Sequence, residues 1–227
     1  MPTETFFNLT EEKRSRIIGV AVDEFAKKPY LSVSISEIVR RAAIAKGSFY
    51  QYFEGKKDLY LHLLSLGMAQ KLALVNQLKP SNNSLKTFGY LRWMIQASVQ
   101  FELQYPRLAG IAYRAFVEEI PFPDEATELT NQGGTYLFND LIAQGILHED
   151  VAPWVDADMA AFLLRTVYKQ FGHYLVSRLK LTSADISEGA FNVFENEDAQ
   201  QLFSNLMDLL EAGMGRDPEI RNHYFSK

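Results

Sequence analysis

The stretch Ser34 to Phe53, SISEIVRRAAIAKGSFYQYF, leaves few ways for the chain around it to fold. Ser34 stands three residues ahead of Glu37, the capping-box spacing in which a hydroxyl and a carboxylate each satisfy a backbone N–H at a helix start. A helix is therefore expected from about Ile35, with Ile35, Ile38, Val39 and Ala42 on one face and Glu37, Arg40 and Arg41 on the other. A turn within Ala42–Ala45 leads to a second short helix from about Lys46, whose inward residues are Phe49 and Phe53 at i and i+4. Two short helices joined this tightly form a helix-turn-helix, and the outer face of the second holds Lys46, Gly47, Ser48, Tyr50 and Gln51. An ammonium and a phenol suit phosphates, a hydroxyl and an amide suit base edges, and a glycine admits close backbone approach. The pattern points to a DNA duplex read from the N-terminal turn of the second helix.

With SISEIV ahead of it and Ile17, Ile18, Ala21 and Phe25 upstream, the run IAKGSFYQYFEGKKDLY resembles the DNA-binding domain of the TetR (tetracycline repressor-like) family. The likeness covers about Thr10 to Leu64 and is most specific at Lys46–Phe53, with Lys56 following. It implies a DNA-contacting set of Ser34, Ser36, Lys46, Gly47, Ser48, Tyr50, Gln51, Tyr52, Lys56 and Lys57. Lys56 and Lys57 open a helix, where the dipole disfavours cations, so a nearby phosphate is the expected compensation. Two positions depart from the family pattern. Ala43 stands where glycine is common in the turn, and a left-handed non-glycine residue costs about 1–2 kcal/mol. Ala45 replaces the usual Ser or Thr cap.

Charge distribution supports this reading better than the net charge of −5. Residues 1–57 hold ten Lys and Arg against seven Asp and Glu, whereas the remainder holds 13 against 21. Such modest basicity suits a sequence reader making a few phosphate contacts, not a protein that coats DNA. The chain has no cysteine, which excludes disulfides and thiolate chemistry and suits a reducing, cytoplasmic setting. No apolar run approaches the length of a membrane span.

Along the chain, Thr10 caps a first helix that Pro29 stops, and a long helix is expected from Lys56 to Leu78. Further helices are expected at Ser84–Gln104, Pro106–Glu118, Asp124 to just before Gly145, Asp156–Leu179 and Glu197–Ala212. Gly133-Gly134 suggests a kink or close helix packing. The chain thus reads as all-α, with about nine helices. The expected division is a helix-turn-helix domain over residues 1–56 and an effector-binding and dimerisation domain over 57–227.

Apolar stripes on the last two long helices include Phe162 and Thr166 in one and Leu202, Leu206, Leu209 and Leu210 in the other. The resemblance implies that these helices pair two copies as a four-helix bundle, setting two recognition helices about 34–36 Å apart or somewhat more on a palindromic operator. The C-terminal half is rich in aromatic residues, and Trp93, Tyr113, Phe116, Tyr136 and Tyr168 are candidates to line a cavity for a small, mostly apolar or aromatic ligand. Filling of the core is the competing role for each ring. His62, His148, His173 and His223 are scattered and there is no HExxH or phosphate-cradling glycine loop, so neither an enzyme nor a metal or other cofactor is expected. The expectation is a ligand-released repressor. A regulator whose C-terminal domain only dimerises or binds a protein is the alternative.

Overall fold

The computed structural model describes residues 1–80, 85–130, 134–182 and 191–215; the side chains of residues 116, 117, 130 and 134–136 lie outside that description. Among the described residues there are eleven α-helices and no strand, so the chain is all-α. The helices are α1 (Glu4–Phe7), α2 (Glu11–Lys27), α3 (Ile35–Arg41), α4 (Lys46–Tyr52), α5 (Lys56–Gln77), α6 (Thr87–Gln104), α7 (Pro106–Val117), α8 (Pro123–Thr130), α9 (Gly134–Leu147), α10 (Ala157–Arg178) and α11 (Glu197–Met214). None is long and apolar enough to cross a membrane.

The chain forms two compact units: Met1–Ala73 with Tyr105–Gln132, and Leu74–Gln104 with Gly133–Lys227. In the first, Thr10 caps α2 as expected, its Oγ1 accepting the Lys13 N–H at 3.4 Å. The inward residues of α2, α3, α4 and α5, among them Ile17, Phe25, Ile38, Phe49, Phe53 and Leu59, share one core with Ile111 of α7 and Phe122. Tyr30, in a 3-10 turn over Tyr30–Ser32, meets Tyr60 and Phe122 with ring centroids 5.0 and 4.9 Å away. These aromatic contacts hold the segment between α2 and α3 against α5.

An ionic knot fixes α3 and α7 to α2. Glu24, only 4% exposed, accepts from Lys28 Nζ at 2.7 Å and from Arg41 Nη1 at 2.6 Å. Arg41 also reaches Asp23, which takes a further hydrogen bond from Arg107. Arg41 therefore faces α2 and not solvent. The Lys28 hydrogen bond, helped by that of Arg41, holds the Glu24 carboxyl below its ordinary range despite burial. A depressed native value means the stabilisation is fully present above the unfolded glutamate value of about 4.3 and is lost as pH falls through the folded one. Glu24→Gln is expected to lower stability by about 2 kcal/mol at neutral pH and to flatten stability against pH below about 4.3. Urea unfolding at a series of pH values measures both.

In the second unit, α6 is buried nearly all round, from Phe88 to Leu103, and forms the centre on which α9, α10 and α11 pack. Its buried polar groups are paired: Gln96 Nε2 donates to Gln200 Oε1 at 3.1 Å, and Arg92 reaches Gln200 and Ser204 of α11. Asp156 and Asn196 cap α10 and α11 through the N–H groups of Met159 and Ala199.

The helix pattern differs from expectation at two places. The short α1 is additional, and the helix expected from Asp124 to before Gly145 is described as α8 and α9, on either side of residues 131–133, which lie outside the described residues. Gly133 lies outside the described residues, and α9 begins at Gly134. Gly145 does not end α9: a Cβ there would lie 2.5 Å from Thr87 Oγ1 and from Val151 Cγ2. Its lack of a side chain permits close packing, and the helix runs on to Leu147.

Candidate nucleic-acid interface

The turn between α3 and α4 is built without glycine. Ala43 adopts the left-handed conformation at φ 52°, and the Ile44 N–H closes back on Val39 O at 3.1 Å. Arg16 Nε donates to Ala42 O at 3.1 Å, satisfying a carbonyl that the end of α3 leaves open. The expected capping box is not formed. Ser34 makes no side-chain cap, and Glu37 instead takes Nε and Nη2 of Arg40 at 2.9 and 2.5 Å, because a charge-assisted fork outcompetes a hydroxyl and amide pair. Ala45 likewise leaves α4 without a side-chain cap.

Phe49 on α4 and Phe53 just after it are fully buried. Lys46, Gly47, Tyr50 and Gln51 are exposed together, Ser48 is half-buried beside them, and Ser34 and Ser36 are exposed at the start of α3. Of the remaining members, Tyr52 is buried, and Lys56 and Lys57 have partners within the protein. Tyr52 is only 4% exposed, its ring against Phe6 and under Lys13. One residue beyond Gln51 on a helix is a rotation of about 100°, which carries Tyr52 to the core. Lys56 points away from the outer face: its Nζ donates to the carbonyls of Tyr30, Leu31 and Val33 at 2.9, 3.2 and 3.0 Å and lies 4.5 Å from the Tyr30 ring. Burial lowers its pKa. Lys57 donates to Glu125 Oε1 at 2.7 Å, over the Phe122 ring. The penalty of a cation in the first turn of α5 is thus offset by protein groups. What the sequence reading missed altogether is Thr3, whose hydroxyl donates to Gln51 O at 2.6 Å; a Thr immediately before a short helix was the available signal.

The second unit presents an apolar face along α10 and α11. Phe162, Thr166 and Leu209 are exposed there, Leu209 at 73%, with Leu202 and Leu206 half-buried. Thr166, Leu202, Leu206 and Leu209, with Phe171 and Tyr174, line a groove of about 390 Å³. Leu210, expected on this face, is 6% exposed and belongs to the core with Phe203 and Met207; it lies on the inward side of α11.

Of the residues nominated for a ligand, Trp93, Tyr113 and Tyr168 have described side chains. Trp93 sits in the second unit's core, its indole N–H donating to Leu78 O at 2.8 Å. Tyr168 meets Phe138 edge-on at 5.5 Å, and Tyr113 belongs to the first unit. The side chains of Phe116 and Tyr136 lie outside the described residues. A separate cavity of about 450 Å³ has Tyr90, Leu137 and Leu141 among its walls, and Trp93, Tyr113 and Tyr168 are not among them.

A helix-turn-helix that presents an ammonium, a phenol, an amide and a bare glycine outward has the arrangement of a DNA-binding module. Residues 17–63 match the family model for bacterial regulatory proteins of the tetR family. Residues 85–214 match that for the tetracyclin repressor-like C-terminal domain. The chain therefore belongs to the TetR family. A TetR family transcriptional regulator from Chloroflexus aurantiacus J-10-FL is 44% identical with a TM-score of 0.85, over 96% of this chain and 100% of that one. FadR from Bacillus subtilis, solved with stearoyl-CoA, shares the fold at a TM-score of 0.64 and 18% identity, over 86% of this chain and 96% of that one. The HTH-type transcriptional regulator YuxN of Bacillus subtilis (strain 168) is 35% identical over 77 residues, 34% of this chain. The chain spans about a quarter of the length of YuxN and of YdgC, the curated relatives it matches there.

Proposed function

We propose that the chain is a repressor that binds a palindromic operator as a two-fold dimer and leaves it when a small, mostly apolar or aromatic ligand binds. The observation that carries the DNA reading is the outer face of α4. Gly47 is exposed there, and a Cβ built on it meets nothing within 4 Å. Gly47 is the second residue of α4, so the helix-interior penalty of about 1 kcal/mol relative to alanine is an upper bound there, and no packing within the protein requires a glycine. A DNA backbone lying against α4 supplies the reason. Lys46 and Tyr50 then serve phosphates, Ser48 and Gln51 serve base edges, and Ser34 and Ser36 flank them at the start of α3. Lys56 is held by the carbonyls of Tyr30, Leu31 and Val33, whereas Lys57, exposed in a surface pair with Glu125, stays in the set as a phosphate contact.

In this reading residues 1–56 supply DNA contact and residues 57–227 supply pairing and ligand response. Pairing uses Phe162, Thr166, Leu202, Leu206 and Leu209. Release follows a shift between two spacings of the recognition helices, and a full swing needs a ligand that discriminates between them by about 5.5 kcal/mol. Trp93, Tyr136 and Tyr168 are the nominated rings within the second unit, and Tyr113 and Phe116 those within the first. The stearoyl-CoA bound by FadR makes acyl thioesters the first effector class to try, by thermal shift and by release from DNA.

Gly47→Ala separates the two sides of the DNA reading. It is expected to raise stability by up to about 1 kcal/mol while lowering affinity for the operator at least ten-fold in fluorescence anisotropy. Unchanged affinity would remove α4 as the DNA-facing helix.

A further inference from the structure

None of the first nine residues belongs to the outward set on α4, yet Thr3 and Phe6 hold the end of that helix. With seven residues, α4 is too short to be stable by itself. Its N-terminal end has no side-chain cap, and at its other end the chain leaves in an extended conformation at Phe53. The last carbonyls of such a helix lack intrahelical donors. Thr3 supplies them from 48 residues away: its hydroxyl donates to Gln51 O at 2.6 Å, and its N–H to Tyr52 O at 2.9 Å.

The segment making this cap is itself fastened at both ends. Thr3 opens α1. Phe6, 1% exposed, sets its ring 4.8 Å from that of Phe53 and 5.8 Å from that of His62 on α5. At the last residue of α1, Phe7 O accepts from Arg14 Nη1 of α2 at 2.7 Å. A donor held this firmly constrains the carbonyl it meets. Gln51 carries that carbonyl on its backbone and an exposed amide on its side chain.

The geometry points to Thr3 as a positioning residue for DNA readout, its hydroxyl fixing the turn of α4 that presents Tyr50 and Gln51. This rests on the reading of α4 as the recognition helix. Base-edge hydrogen bonds tolerate displacements of only about 0.5 Å, whereas attraction of Lys46 to phosphates falls off gently with distance. Loosening the C-terminal turn therefore costs selectivity before it costs general affinity.

The test uses the full chain with Thr3→Val, which keeps the shape and the N–H but removes the hydroxyl, and Thr3→Ser, which restores it. Affinity is measured for a duplex selected by the wild-type protein and for a random duplex. Exchange of the Phe53 amide, which donates to Phe49 O at 2.9 Å across that turn, is followed by NMR. Thr3→Val is expected to weaken the selected duplex about five-fold, the equilibrium worth of one net hydrogen bond, to leave the random duplex within two-fold, and to speed Phe53 exchange. Thr3→Ser is expected to restore all three. Equal losses on both duplexes, unchanged exchange in Thr3→Val, or failure of Thr3→Ser to rescue would each overturn the assignment. Should the wild-type protein select no duplex, the proposed function falls instead, and Phe53 exchange alone decides whether Thr3 fixes the turn.

Discussion

Leu209→Glu is expected to yield a folded monomer that no longer holds operator DNA. Leu209 is largely exposed beside the groove formed by Thr166, Phe171, Tyr174, Leu202 and Leu206, so within one chain the substitution disturbs little. In the proposed pairing that face is covered by its own two-fold copy, and every change enters the interface twice. An unpaired charge taken out of water costs several kcal/mol, on the order of 3–5 each. Two of them weaken the dimer by about four orders of magnitude or more. Sedimentation velocity at micromolar concentration reads the monomer directly, and far-ultraviolet circular dichroism confirms the helices. Leu210→Ala is the contrasting variant. Leu210 faces the core, so this change is expected to cost about 2–4 kcal/mol of folding stability and to leave the folded protein dimeric. A dimeric Leu209→Glu protein would exclude this face of α10 and α11 as the pairing surface.

Lys56→Met is expected to act on stability and not on phosphate contact. Three backbone carbonyls, those of Tyr30, Leu31 and Val33, depend on the Lys56 ammonium. They close the link between α2 and α3, where the partial negative charge of the 3-10 turn's end gathers. Methionine preserves the stem and removes the donor, leaving part-buried carbonyls without it. Hydrogen bonds to charged groups contribute about 1.5–3 kcal/mol each and are not additive here, which puts the expected loss at about 3 kcal/mol in urea unfolding. The salt dependence of DNA binding by the folded variant should be unchanged. A phosphate contact would instead leave stability within about 0.5 kcal/mol and reduce the salt slope by about one unit.

That contrast marks where the sequence ceased to be legible. Phe49 and Phe53 announce their burial because helical spacing alone places them inward, and Ala43 stands at the left-handed turn position that the two helices impose. Those features depend on neighbours within a few residues. The destination of Lys56 depends on carbonyls 23 to 26 residues earlier in the chain, and the cap on Gln51 comes from Thr3, still more distant. No periodicity encodes such pairings. Leu209 and Leu210 show a second limit. Adjacent leucines in an apolar stripe differ by about 100° of helix rotation, and only the packing of α11 decides that one faces outward and the other inward. Ser34 and Glu37 show a third, since the capping-box spacing was present but Arg40 offered Glu37 a stronger partner.

The ligand side was least legible because aromatic residues fill cores and line cavities alike. Trp93 illustrates this: its ring lies tilted against that of Tyr90 with centroids 5.2 Å apart, and its N–H donates to Leu78 O, contacts that serve a core residue and a cavity wall equally.

The most direct measurement is selection of bound duplexes from a random-sequence pool by the purified protein without added ligand. Recovery of a palindrome whose half-sites lie about one helical turn apart, or somewhat more, with the same affinity lost in Leu209→Glu and lowered in Gly47→Ala, is the expected result. Folded, dimeric protein that enriches no sequence would contradict the assignment of α4 as a ligand-free operator reader.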